Sequence, residues 1–239
     1  MLANIIRNAK KTGIGGGGGG IVTSDPYFSS VCLLLHMDGA NNSTTFTDSS
    51  ANGYSITNYG TAAVLTTQSK YGGASGYFDG SGARVGLSST GIDFGTNDFT
   101  AECWVYLNAN PLSSSAHVMG KVDASGSSWA LRFNSSRVLA FIWNNDGEFL
   151  PSGSINLSQW YHVAVSKSGS TIMLFIGGTQ VASTTTSYTF SSSTEFTVGS
   201  SSNNRFQTRI NAYIDDVRLT KVARYTSNFT PPTQAHSNA

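Results

Sequence analysis

From residue 31 onward no ten-residue stretch keeps the apolar period of a helix, while a dozen short runs alternate or stay apolar as strands do. They fall at 31–36, 54–58, 75–78, 99–107, 116–121, 129–133, 138–143, 160–166, 171–176, 179–183, 195–198 and 210–219. Alternation is plainest in Tyr161-His162-Val163-Ala164-Val165 and in Ile172-Met173-Leu174-Phe175-Ile176. The intervals carry turn chemistry: Ala51-Asn52-Gly53, Asp79-Gly80, Asn145-Asp146-Gly147, Ser168-Gly169 and Gly177-Gly178. The pattern predicts a two-sheet, all-β sandwich, with the hairpin over 161–183 as its clearest local element.

Composition narrows what such a sandwich does. With 14 Lys+Arg against 13 Asp+Glu, the net charge of +1 offers no basic field for nucleic acid. No apolar run is long enough to cross a bilayer as a helix. A hydrophobic fraction of 39%, with 11% aromatic, can fill a core. Cys32 and Cys103 both sit in strand-like apolar runs, either as two buried thiols or as one inter-strand disulfide.

Six consecutive glycines within 13–20 cannot hold a fixed backbone cheaply and read as a flexible linker. The chain divides accordingly into an N-terminal peptide (1–12), a glycine-rich linker (13–30), the sandwich (31–232) and a short tail (233–239). Wound as a helix, the peptide would put Leu2, Ile5 and Ile6 on one face, with Arg7, Lys10 and Lys11 as its charges. It is either a docking peptide or a ragged terminus. It lacks the apolar core of a secretory signal, so synthesis and folding in cytoplasm are expected.

Several segments resemble laminin-G-like, concanavalin A-like lectin/glucanase domains. They are Leu33-Leu34-Leu35-His36-Met37-Asp38-Gly39, Tyr71-Gly72-Gly73-Ala74-Ser75-Gly76-Tyr77-Phe78-Asp79-Gly80 and Asp98-Phe99-Thr100-Ala101-Glu102-Cys103-Trp104-Val105. Gln159-Trp160-Tyr161-His162-Val163-Ala164-Val165 and Tyr213-Ile214-Asp215-Asp216-Val217-Arg218-Leu219 follow in the same order. The resemblance implies a jelly-roll sandwich. It is similar to modules of tailed-phage structural proteins, which implies a virion component that docks on a capsid or tail protein through its N-terminal peptide. A homo-oligomer is compatible with that picture, although no heptad repeat appears.

Catalysis is not expected. Glycosidases need two paired carboxyl groups, and the only glutamates are Glu102, Glu148 and Glu195, far apart in the chain. No nucleophile elbow, phosphate loop or zinc motif is present. The resemblance implies a structural calcium, with Asp38 and Asp215 as candidate ligands and a carbonyl from 71–73 beside them. Otherwise Asp38 opens a turn and Asp215 pairs with Arg218 or Arg84. A glycan would be held by aromatic faces and amides: Trp129, Trp143 and Phe149, with Asn144, Asn145 and Asp146 between them. Trp104 and Tyr106 share a strand face, where an inter-sheet packing role competes with ligand contact. The expected function is a non-catalytic virion protein displaying a lectin-like sandwich; a free lectin or a glycosidase are the alternatives.

Overall fold

Aromatic and β-branched residues alternating with small polar ones form strands wherever two faces must be distinguished. In the computed structural model, described for residues 24–112, 115–123, 126–144, 147–149, 154–202 and 208–239, they form fifteen. In chain order these are β1 (Val31–Leu35), β2 (Thr57–Tyr59), β3 (Ala63–Leu65), β4 (Ser75–Asp79), β5 (Arg84–Leu87), β6 (Phe99–Leu107), β7 (Ala116–Asp123) and β8 (Gly126–Phe133). The rest are β9 (Leu139–Trp143), β10 (Gly147–Phe149), β11 (Trp160–Ser168), β12 (Thr171–Ile176), β13 (Thr179–Thr185), β14 (Phe196–Val198) and β15 (Asn211–Thr220). An eight-stranded sheet runs β13-β12-β11-β6-β15-β4-β3, with β1 added to β15; a seven-stranded sheet runs β10-β9-β8-β7-β14-β5-β2. All pairings are antiparallel. Among the described residues no helix is long and apolar enough to cross a membrane.

The sheets close on one core. Strand β6 alternates: Phe99, Ala101, Cys103, Val105 and Leu107 enter it, while Thr100, Glu102, Trp104 and Tyr106 turn to the outer face. Opposite them, β8 and β9 contribute Trp129, Leu131, Phe133, Leu139 and Phe141. Phe94 stacks on Phe99 with centroids 4.2 Å apart, and Trp129 lies 5.6 Å from Phe94 and 5.9 Å from Phe196. The cysteines are free and buried, and burial pushes the Cys32 thiol up to about 12.

The expected boundaries shift at both ends. Within the stretch assigned to the linker, 24–30 is part of the folded unit: the Asp25 amide donates to the Ala239 carbonyl at 2.8 Å and Lys221 N–H to Ser30 O at 2.8 Å. The expected tail also packs, with His236 buried and its amide donating to Asp216 Oδ2 at 2.9 Å. Residues 1–23, including Leu2, Ile5, Ile6, Arg7, Lys10 and Lys11, lie outside the described residues.

Candidate functional site

The outer face of the eight-stranded sheet carries two different surfaces. Over one end lies the chain's last segment. Tyr225 and Phe229 stack with centroids 3.5 Å apart and cover Ala164, Met173 and Phe175. Gly178 lets this segment come close: its φ is +77°, and a Cβ there would collide with the Phe229 carbonyl. The Phe229 amide in turn donates to Gly178 O at 2.9 Å.

Beneath that cover sits a buried, fully paired carboxylate. Glu102 Oε1 accepts from Arg218 Nε at 2.9 Å and Nη2 at 2.7 Å, and Oε2 accepts from Tyr225 Oη at 2.8 Å and His162 Nε2 at 3.1 Å. Burial opposes its ionisation, but the Arg218 guanidinium and the His162 hydrogen bond outweigh it and hold the carboxyl well below its usual range. Arg218 and Arg224 both reach Asp25, at 3.1 Å and 2.6 Å, so the cover is pinned from both chain ends. These arginines are therefore internal ties.

At the other end no described segment covers the face. Strand register sets Tyr77 opposite Tyr213, Tyr213 opposite Tyr106, and Tyr106 opposite Trp160. Four aromatic rings thus stand in one row across β4, β15, β6 and β11. Their neighbouring centroids are 5.0, 6.0 and 5.6 Å apart. All four are half-buried and none belongs to the core or packs against it. The border is polar and nearly uncharged. Thr67 Oγ1 lies 3.0 Å from Tyr213 Oη, and Asn108 Nδ2 donates to Asn211 Oδ1 at 3.0 Å. Lys70 Nζ sits 3.8 Å above the Trp104 ring, and Asp79 accepts from Ser81 and Thr61.

The expected glycan residues are placed elsewhere. Trp129 has 0% exposure and lies in the aromatic core. Trp143 faces it across the β8–β9 ladder, stacks on Phe141 at 5.8 Å and packs against the same core. Strand alternation explains both: their parity matches the inward residues. Asn144 is exposed in a left-handed conformation (φ 49°). Asn145 and Asp146 lie outside the described residues, and Phe149 is described only as backbone, opposite Phe141 in β10. The row itself was legible only in part. Tyr106 stood out on its strand, but the register that joins it to Tyr77, Tyr213 and Trp160 is not written in any local stretch.

The candidate calcium ligands fit incompletely. Between Asp215 and Arg218 the β15–β6 register slips at a bulge, with Asp216 at φ 53°. The bulge turns two successive carboxylates toward the 70–73 loop and the tail. Asp215 Oδ2 accepts from the amides of Lys70 and Tyr71 at 2.8 and 3.1 Å, so neither Arg218 nor Arg84 is its partner. Burial pushes its carboxyl up to about 7 despite those amides, with Asp216 and Asp38 adding to the rise. Asp216 is held by His36 Nδ1 at 2.8 Å and by the His236 amide. Asp38 lies against Gly72, where a side chain would overlap its carboxylate. The charge suits a cation, but among the described residues no group of three or more His, Cys, Asp or Glu is arranged to hold one.

With this geometry in place, sequence comparison decides the family. The Laminin_G_3 profile, described as "Concanavalin A-like lectin/glucanases superfamily", matches residues 79–227. The chain belongs to this family. Curated proteins give no sequence match. Among solved structures, the sandwich is similar to the binding domain of Paraclostridial Mosquitocidal Protein 1 (TM-score 0.64, 13% identity, covering 83% of this chain and 50% of that one). It is also similar to the binding domain of Botulinum Neurotoxin DC in complex with SialylT (0.62, 16%, 83% and 49%). A third is domain 4 of AbnA, an extracellular arabinanase from Geobacillus stearothermophilus, in complex with arabinotriose (0.60, 17%, 81% and 93%). The chain spans about half the length of the two toxin domains. At these identities the likeness shows the lectin-like jelly roll alone.

Proposed function

We propose that this chain is a non-catalytic, lectin-like adhesion module whose glycan contact is the row Tyr77, Tyr213, Tyr106 and Trp160. The carrying observation is that four aromatic rings stand outside the core on a sheet face that no described segment covers, bordered by amides and hydroxyls. Sugar rings offer C–H faces to aromatics and hydroxyls to such borders. The fold neighbours solved with SialylT and with arabinotriose support the reading.

The absence of catalysis belongs to the same proposal. Glu102 is enclosed by Arg218, His162 and Tyr225, and Glu195 Oε1 accepts from Tyr59 Oη at 2.7 Å beside Arg84. Neither carboxyl is paired with a second one as hydrolysis requires. We read the glycine tract as the tether that displays the sandwich from a virion, with a capsid or tail protein as the partner of residues 1–12.

A glycan array probed with the full chain, repeated with Tyr106→Ala, tests the contact. Binding lost in the variant supports it, and binding unchanged removes the row from the function. Release of reducing sugar from any array polysaccharide would overturn the non-catalytic reading.

A further inference from the structure

We infer that the aromatic row takes an unbranched, uncharged polysaccharide lying across the strands, with consecutive sugar units on Tyr77, Tyr213, Tyr106 and Trp160. The inference rests on the glycan reading above and names the class of glycan.

Geometry supplies the chain. The rings come one per strand from four adjacent strands, so their step is the sheet's own spacing of roughly 4.8 Å. The measured steps of 5.0, 6.0 and 5.6 Å stay near it. That is about the advance per ring along an extended pyranose chain, so each strand can present one ring to one sugar. A single terminal sugar would use one ring and leave three idle.

Ring tilt separates a lone chain from a flat solid surface. Neighbouring planes differ by 37°, 79° and 58° along the row. Such a corrugated floor cannot lie flush on a crystalline polysaccharide, but it can follow a single chain whose units rotate about their linkages.

Charge argues for a neutral ligand. Among the described residues, the charged groups near the row include Asp79 and Lys70, one of each sign. Burial opposes ionisation of Asp79, but hydrogen bonds from Ser81 and Thr61 prevail and hold its carboxyl below the usual range. It lies beside Tyr77, where a uronic acid would be repelled. At the other side, Lys70 is seated on the Trp104 face. Asn108, Asn211 and Thr67 supply uncharged donors and acceptors along the edge, suited to sugar hydroxyls.

The test is calorimetric titration of the full chain with linear β-1,4-glucan, β-1,4-xylan and α-1,5-arabinan oligomers of two to six units, and with oligogalacturonates of the same lengths. For at least one neutral series, affinity should rise severalfold per unit up to about four and then level. It should change little with added salt, and Tyr213→Ala should weaken it at least tenfold at an unchanged melting temperature. Equal affinity for the shortest and longest oligomers overturns the extended-chain inference while leaving glycan binding intact. A preference for oligogalacturonate, with steep salt dependence, overturns the neutral class. No binding by any series, together with a blank glycan array, overturns both this inference and the glycan reading.

Discussion

Two ends of one sheet face carry aromatic residues to opposite purposes. At the covered end, Phe175, Tyr225 and Phe229 pack on each other over a carboxylate that four donors enclose. At the open end, Tyr77, Tyr213, Tyr106 and Trp160 contact one another, and no segment of the described residues covers them. The same strands, β6, β11 and β15, serve both ends, so sheet structure does not make the difference. The difference is where the last segment lies. Asp25, Arg224 and Glu102 fix it over one end, and the face it leaves uncovered is available for contact.

If the covered end is held by its buried charges, breaking them gives the largest effect. Glu102→Gln keeps the shape but takes from Arg218 the nearer of its two counter-charges in a buried site, leaving Asp25 at 3.1 Å. The expected loss is about 3–5 kcal/mol in denaturant unfolding. A loss below about 1 kcal/mol would mean that ring packing alone seats the segment.

Acid attacks the covered end next. Burial lowers His236, in the segment, to about 4, and likewise His117 on the seven-stranded sheet, where Arg132 adds to the lowering. The folded state refuses protons that the unfolded chain accepts below about 6.5. Their stability is therefore complete above about pH 6.5 and is lost as pH falls toward 4. His36, raised chiefly by Asp216, acts in the opposite sense and offsets part of this. Asp215, pushed up to about 7, takes up its proton in the folded state within the same window and also opposes the loss, so the net expectation is a shallow decline between pH 7 and 4.5. Glu102, held well below its usual range, stays ionised throughout that window. His236→Asn should flatten the slope, and an unaltered slope would place the effect on the other sheet.

Ring packing gives a smaller effect than charge. Phe229→Ala removes a half-buried ring that touches Tyr225, Phe175 and His162, at an expected cost of about 2 kcal/mol. The matching change at the open end, Tyr106→Ala, should cost less than about 1 kcal/mol, because its ring is outside the core. If the two costs were equal in paired melts, the open row would be packing rather than a contact surface.

What was legible in the sequence follows from the range of the interactions involved. Alternation in 99–107 and 161–183 gave the sandwich, because one face of each strand must be apolar. Short strands such as Ala63–Leu65 and Arg84–Leu87 hold too few residues for a period and escaped notice. Trp129 and Trp143 looked like ligand contacts beside a polar turn, but strand parity, set by pairing with distant partners, turned both inward. Asp25 reads as linker until Arg218 and Arg224, nearly two hundred residues away, are brought to it. Beyond Tyr106 the row stayed hidden for the same reason: each ring comes from a different strand.

Between the two ends lies the seam where Asp215 and Asp216 sit, and calcium is the finest test of how the ends are joined. A cation needed there would stabilise the folded state by mass action, about 4 kcal/mol at a thousandfold excess over its dissociation constant. Yet Asp215 Oδ2 already accepts from two amides, and Asp216 is engaged by His36 and the His236 amide. These hydrogen bonds already fix the loop and the tail without an ion. Millimolar calcium, or a chelator, should therefore leave the melting temperature unchanged. A rise of several degrees with calcium, abolished in Asp215→Asn, would show that the seam closes around an ion and that the covered end depends on it.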